Sequence, residues 1–199
     1  MNIYSIKESN HNFYNEKFKE YCELIFKNHY FSNHWKFAIK LEESLSNITE
    51  FQNNITYGNV NILFISILHI LKIRKNEKVY ISQGLLLFPW VTNALNYLGI
   101  KAKVMKHGLK RKKDILNIFL DIDYMSDSCC CSSENAIVIS TNLPKKSNIL
   151  KALIYITNMN EETSFGLTGG GVASTDNTVL SDKLRWMRSS YGRTGKVNI

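Results

Sequence analysis

Residues 60–73 constrain this chain more than any other stretch. They carry Ile62, Leu63, Phe64, Ile65, Ile67, Leu68, Ile70 and Leu71, directly after the turn signal Tyr57-Gly58-Asn59. This pattern predicts a helix apolar on nearly every side, and such a helix has to be buried on nearly every side. It needs a sheet and other helices around it, which excludes a disordered chain. At 199 residues, with 44% hydrophobic and 12% aromatic content, the chain has material for one such core. A single domain over residues 1–199 is the expectation, with no internal repeat and no linker.

The flanking segments supply the partners. Val79-Tyr80-Ile81-Ser82 reads as a short strand. Pro89 suits the first turn of a helix that runs to Leu98 and stops at Gly99. Ala102 to Met105 is a second strand, Ala136 to Ser140 a buried one, and Leu153 to Ile156 another. Ile115 to Tyr124 fits helix or strand, and Ser126 to Asn135 reads as a polar loop. Helices are expected over Asn12–Lys27, Trp35–Ile48 and Thr178–Ser189. In the second of these, Phe37, Ala38, Leu41 and Leu45 share one face, and Lys40, Glu42 and Glu43 another. Helices alternating with strands at these lengths predict an α/β fold, a mostly parallel sheet flanked by helices.

Several function classes find no support. The net charge of +8 comes from basic residues spread along the chain, densest between Lys101 and Lys113, without a nucleic-acid motif. A solvated lysine-rich surface is the expectation, and no nucleic acid is expected as partner. Cys22 stands alone and Cys129-Cys130-Cys131 lacks metal-ligand spacing, so no metal site is expected. Reduced cysteines fit a cytoplasmic setting. No charge-free apolar run reaches the ~20 residues that span a bilayer, and the N-terminus does not read as a signal peptide. Neither a Gly-x-Ser-x-Gly elbow nor a His-Glu-x-x-His pair is present. Asp121 and Asp123 read as a solvated edge rather than a catalytic pair.

Four blocks, in order, carry a family resemblance. Phe37 to Ser46 has a hydrophobic-Glu-x-x-hydrophobic-small pattern. Tyr57-Gly58-Asn59-Val60-Asn61-Ile62 stands where a Ser-Gly-Thr-x-Ala-Leu turn would be. Asn76 to Ile81 with Phe88 and Thr92 to Gly99 forms the third. Gly170 to Asp176 with Leu184-Arg185-Trp186-Met187-Arg188 and Tyr191-Gly192-Arg193 forms the fourth. Together they resemble the DegT/StrS-type sugar aminotransferases, which hold pyridoxal phosphate (PLP) on a lysine. The resemblance covers about residues 30 to 195 and matches poorly from Lys106 to Glu162. It implies an incomplete large domain of the aspartate-aminotransferase superfamily, without the smaller C-terminal domain. It also implies a place in sugar or polysaccharide biosynthesis, a nucleotide-sugar ligand, and a homodimer or a heterodimer with a full-length aminotransferase. Gly58 and Asn59 would form the coenzyme-phosphate turn, where a helix N-terminus offers free N–H groups. Phe88 would stack on the pyridine ring.

The departures are as informative as the matches. No lysine occurs between Lys151 and Lys183, although the family's Schiff-base lysine precedes the Gly-Gly pair by a few residues. Counting back from Gly170 reaches Thr163 to Phe165, none of which carries an amine. The histidine of related dehydratases is also absent, because the last histidine is His107. Asn158 falls near the place of the aspartate that pairs with the ring nitrogen. The implied coenzyme would thus not be held covalently, no catalytic residue is assigned, and transamination is not expected. Two alternatives stay open: a non-catalytic partner of a full-length enzyme, or an active enzyme using another lysine such as Lys183.

Overall fold

The computed structural model describes residues 11–28, 36–105, 117–120, 133–140, 142–149, 151–159 and 169–190. Two compact units are distinguished, Met1–Lys36 and Phe37–Ile199. The first contains helix α1 (His11–Asn28), close to the expected range. Tyr21, Leu24 and Phe26 are exposed on it.

Among the described residues, the second unit has seven strands: β1 (Asn53–Tyr57), β2 (Lys78–Ile81), β3 (Lys101–Val104), β4 (Asn117–Leu120), β5 (Ser133–Ser140), β6 (Ala152–Asn158) and β7 (Gly171–Thr175). They lie side by side in the order β1-β7-β6-β5-β4-β2-β3. β7 is antiparallel to both of its neighbours, and the other pairings are parallel. The helices are α2 (Lys36–Thr49), α3 (Val60–Ile70), α4 (Pro89–Tyr97) and α5 (Thr178–Ser190). The expected α/β class and the mostly parallel sheet are therefore observed.

Strand alternation divides the interior into two layers. Ile137, Ile139, Ile154 and Ile156 face the α3 side, with Leu63, Phe64, Ile67 and Leu68 of α3 and Leu180 and Leu184 of α5. Ala136, Val138 and Tyr155 face the other side, with Phe51 and Phe119. The four α3 side chains are 0% exposed. Truncating any of them to alanine costs about 2–5 kcal/mol.

Some expectations are corrected. α3 ends at Ile70, and Lys72 takes a left-handed φ of 57°. Burial is one-sided at its start, where Ile62 is exposed, because the first turn lies at the sheet's rim. In α2 the buried residues include Glu42 and Leu45, whereas Leu41 is 44% exposed. The expected apolar face is rotated because Glu42 has hydrogen-bonding and ionic partners inside. β5 begins at Ser133, three residues inside the segment read as polar loop. The ambiguous stretch after Ile115 contains a strand at Asn117–Leu120. Neither β1 nor β7 was legible. Asn53, Asn54 and Thr56 spoil the apolar signature of β1, and Gly171, Ser174 and Thr175 that of β7.

Those polar residues have a shared purpose. Asn54 Nδ2 donates to Ser46 Oγ at 3.0 Å and to Thr49 Oγ1 at 3.0 Å, and its Oδ1 accepts from Ser174 Oγ at 2.6 Å. One buried amide thus ties α2, β1 and β7 together. Satisfied in this way, it fixes register where apolar residues would tolerate slippage.

Candidate functional site

Six strands run the same way, so their carboxyl ends form one rim. In open α/β sheets such a rim is where ligands bind. β1 ends there at Tyr57 and β6 at Asn158, and the reversed β7 starts there at Gly171, which pairs with both. The rim therefore gathers the Gly58-Asn59 turn, Asn158 and the Gly170-Gly171 pair. Phe88 leaves the same rim from β2, with β4 and β5 between β2 and β6.

The glycine pair is there for steric reasons. Gly170 has φ +113°, in the region that favours glycine, and a Cβ there would stand 3.3 Å from the Tyr57 carbonyl oxygen. A Cβ on Gly171 would meet Val60 Cβ and Cγ2 at 3.0 Å and Val60 Cα at 3.1 Å. The start of β7 therefore lies flush against the first turn of α3. That contact holds the helix entry, and with it the Gly58-Asn59 turn, at the rim.

Asn59 has the extended backbone of a helix N-cap. Its Oδ1 accepts from Asn61 N at 2.8 Å and Ile62 N at 3.2 Å. Two amides that open the helix are thus already engaged by its own cap. Gly58 is exposed, with open space where a Cβ would stand. Phe88 is half-buried against the main core, beside a T-shaped Phe64–Trp90 pair at 5.7 Å. Asn158 is buried at the end of β6.

The other sequence candidates sit elsewhere. Lys183 is an exposed residue of α5. Two further lysines, Lys145 and Lys146 in the β5–β6 connection, were not candidates and pair with Glu50 at 3.1 Å and Asp176 at 2.8 Å, towards the opposite rim. Thr163 to Phe165, Lys106 to Lys113, Asp121, Asp123, Cys129 to Cys131 and Tyr191 to Arg193 lie outside the described residues. Among the described residues, no cluster of His, Cys, Asp and Glu could hold a metal, and no helix is long and apolar enough to cross a membrane.

The first and fourth blocks of the sequence resemblance meet in space. Glu42 of α2 forms an ion pair with Arg188 of α5, and Arg185 Nε lies 3.6 Å from its second oxygen. Glu42 Oε1 also accepts from Thr56 N at 2.9 Å and Thr56 Oγ1 at 3.1 Å, and Arg188 Nη1 donates to Thr56 O at 2.8 Å. The pair grips β1 two residues before the Gly58-Asn59 turn. Sequence reasoning put Glu42 on a solvent face and gave no partner for either arginine.

The turn, Asn158 and the glycine pair share one rim, but an amine to hold a coenzyme is not among them. No amine is available between Lys151 and Lys183, two helix amides are capped, and Phe88 packs into the core. These residues do not fit a covalently held PLP.

No family model matches the chain, and no curated protein matches it. Solved structures do. A DegT/DnrJ/EryC1/StrS aminotransferase from Brucella abortus aligns with 100% of this chain at a TM-score of 0.73 and 12% identity, over 62% of its own length. NtdA from Bacillus subtilis, solved with bound cofactor PMP, aligns with 93% of the chain at a TM-score of 0.69 and 14% identity, over 48% of its length. DesI, solved in the presence of its TDP-sugar product, aligns with 84% at 0.66 and 10% identity, over 48% of its length. At such identities the likeness shows the fold alone, the one these aminotransferases share. The chain spans about half to three fifths of the length of these structures.

Proposed function

We propose that this chain is a homologue of the PLP-dependent sugar aminotransferases that does not transaminate. One observation supports the reading: the strand that the resemblance sets after the coenzyme lysine is formed, starting at the Gly170-Gly171 pair, yet no lysine lies between Lys151 and Lys183. When bound, PLP supplies an electron sink for bonds at the carbon next to nitrogen. Both anchoring the coenzyme and moving the proton need a base, and the segment has neither lysine nor histidine. No chemical step is assigned to any residue here.

What the rim supports is recognition. Gly58 and Asn59 remain the proposed phosphate turn, and Phe88 the proposed apolar neighbour of a ring. A phosphate arriving there has to displace Asn59 Oδ1 from Asn61 N and Ile62 N, a cap worth about 1 kcal/mol. The proposed setting is nucleotide-sugar biosynthesis, and the proposed ligand class a phosphate-bearing sugar or coenzyme bound without a covalent bond. Lys183 does not rescue catalysis in this reading, because it projects into solvent from α5.

The test is to incubate the purified protein with PLP, reduce with borohydride and measure mass and visible absorption. The expected result is unchanged mass and no protein-bound chromophore. A single borohydride-fixed pyridoxyl adduct mapped to one lysine would overturn the proposal. Asn59→Ala is expected to lower stability by about 0.5–2 kcal/mol in chemical denaturation.

A further inference from the structure

β3 is an end strand of the sheet, and all four of its residues are exposed. Its inner side is bonded to β2: Lys101 N donates to Glu77 O at 2.9 Å and Met105 N to Ile81 O at 2.8 Å. Alternation along the strand then turns the N–H and carbonyl groups of Ala102 and Val104 outward. Among the described residues, no further strand pairs with them.

The side chains divide this edge into two faces. In register, Lys101 pairs with Lys78 and Lys103 with Tyr80, whose ring centroid lies 6.0 Å from Lys103 Nζ. Lys78, Lys101 and Lys103 are exposed and share one face. Among the described residues, no carboxylate lies within ion-pair distance of any of the three. Residues 71–105 contain six basic residues and a single acid, Glu77, so the neighbouring chain does not neutralise them. Ala102 and Val104 stand on the opposite face, Val104 being 39% exposed.

We propose that the outer edge of β3 docks an extended segment of a partner protein that alternates acidic with apolar residues. Its backbone bonds to Ala102 and Val104, its acids lie against Lys101 and Lys103, and its apolar side chains lie beside Val104. Opposite charges on neighbouring strands favour pairing and like charges oppose it, so a second copy of β3 is a poor occupant. A nucleic acid would satisfy the lysines but would set its phosphates against the outward carbonyls. The surface is independent of the glycine turn and of the transaminase reading.

The test titrates the 15N-labelled full chain with the blocked peptide Thr-Glu-Val-Glu-Val-Glu-Thr, its counterpart Thr-Lys-Val-Lys-Val-Lys-Thr, and octathymidylate. The glutamate peptide is expected to give saturable amide shifts in residues 78–81 and 101–105 with Kd below about 1 mM, and the lysine peptide to bind at least about tenfold more weakly. N-methylation removes backbone donors without changing charge. Methylating the valines or the glutamates should weaken binding about tenfold in one case only, which also distinguishes antiparallel from parallel docking. Lys101→Glu combined with Lys103→Glu, both at exposed positions, should reverse the preference between the two peptides with the spectrum still folded. Absence of a saturable shift with the glutamate peptide overturns the proposal. So do unchanged binding of both methylated peptides, an unreversed preference in the folded double variant, and tighter binding of octathymidylate than of the glutamate peptide at these residues.

Discussion

At one edge of the sheet, β1 has the outward N–H and carbonyl of Thr56 occupied by Glu42 and Arg188. At the other edge, all four residues of β3 are exposed, and Lys101 and Lys103 alternate along it. Lys101 stands beside Lys78 in register, and Lys103 lies 6.0 Å from the centroid of the Tyr80 ring. An uncovered strand edge is a template for unwanted pairing, and proteins blunt it by covering it or by charging it. This chain does both, one at each edge. Covering β1 fixes α2, β1 and α5 to one another just before the Gly58-Asn59 turn. Among the described residues, β3 is guarded by its charges instead.

The comparison predicts unequal costs. Glu42→Ala leaves Arg188 buried without its counter-charge, at 7% side-chain exposure. Loss of about 3–5 kcal/mol is expected in urea unfolding. Combining Glu42→Leu with Arg188→Met should recover much of that loss, because the uncompensated charge disappears with the pair. If the double variant is no more stable than Glu42→Ala, the clamp is not electrostatic in origin.

Gly171→Ala is next in size. The added methyl has to push Val60, so about 1–3 kcal/mol is expected. The displacement should be visible as amide shifts at Gly58 and Asn59. A neutral effect would show that β7 does not set the position of the turn.

At β3 the prediction concerns association rather than stability. Replacing Lys101 and Lys103 by threonine should change unfolding free energy by less than about 0.5 kcal/mol. Sedimentation should then show concentration-dependent self-association. A strictly unchanged distribution would mean that the lysines are not guarding that edge.

The smallest effect is expected with pH. At Asp176, partial burial pushes the pKa up, but the hydrogen bonds from Lys146 and the Gln52 amide, with the charges of Lys146 and Lys151, outweigh it. The carboxyl therefore titrates below its ordinary 3.8. Its stabilising share is present above that value and fades as pH falls through the lower folded value. Both partners are well exposed, so the share is small. Asp176→Asn should lower stability slightly at neutral pH, with the difference from the parent chain vanishing as pH falls well below about 4. A larger change at neutral pH would point to the Gln52 contact instead.

Much of the central fold was legible because its signals are local. The apolar run of α3, Pro89 and Gly99 around α4, and the Ala136–Ser140 strand need no distant partner to be recognised. The missed elements were those whose side chains serve other elements. Asn54 looks like a loop residue until Ser46, Thr49 and Ser174 are around it. Glu42 looks like a surface acid until Arg188 arrives from 146 positions away. Within the candidate site, the turn signal located Gly58 and Asn59, and the resemblance alone proposed a role for them and for Phe88. That Asn59 caps its own helix, and that Phe88 packs against the core, depends on rotamers and neighbours that spacing does not encode.

By itself the sequence determined the α/β alternation, the buried central helix and the lack of an amine ahead of the glycine pair. Each is a matter of residue type along the chain, fixed by hydrophobic periodicity or by simple presence. Only the tertiary structure decided the reversal of β7 and the ion pair across β1. Those depend on groups more than a hundred positions apart meeting at hydrogen-bond distance, and a buried polar group declares its purpose only through the partner that satisfies it.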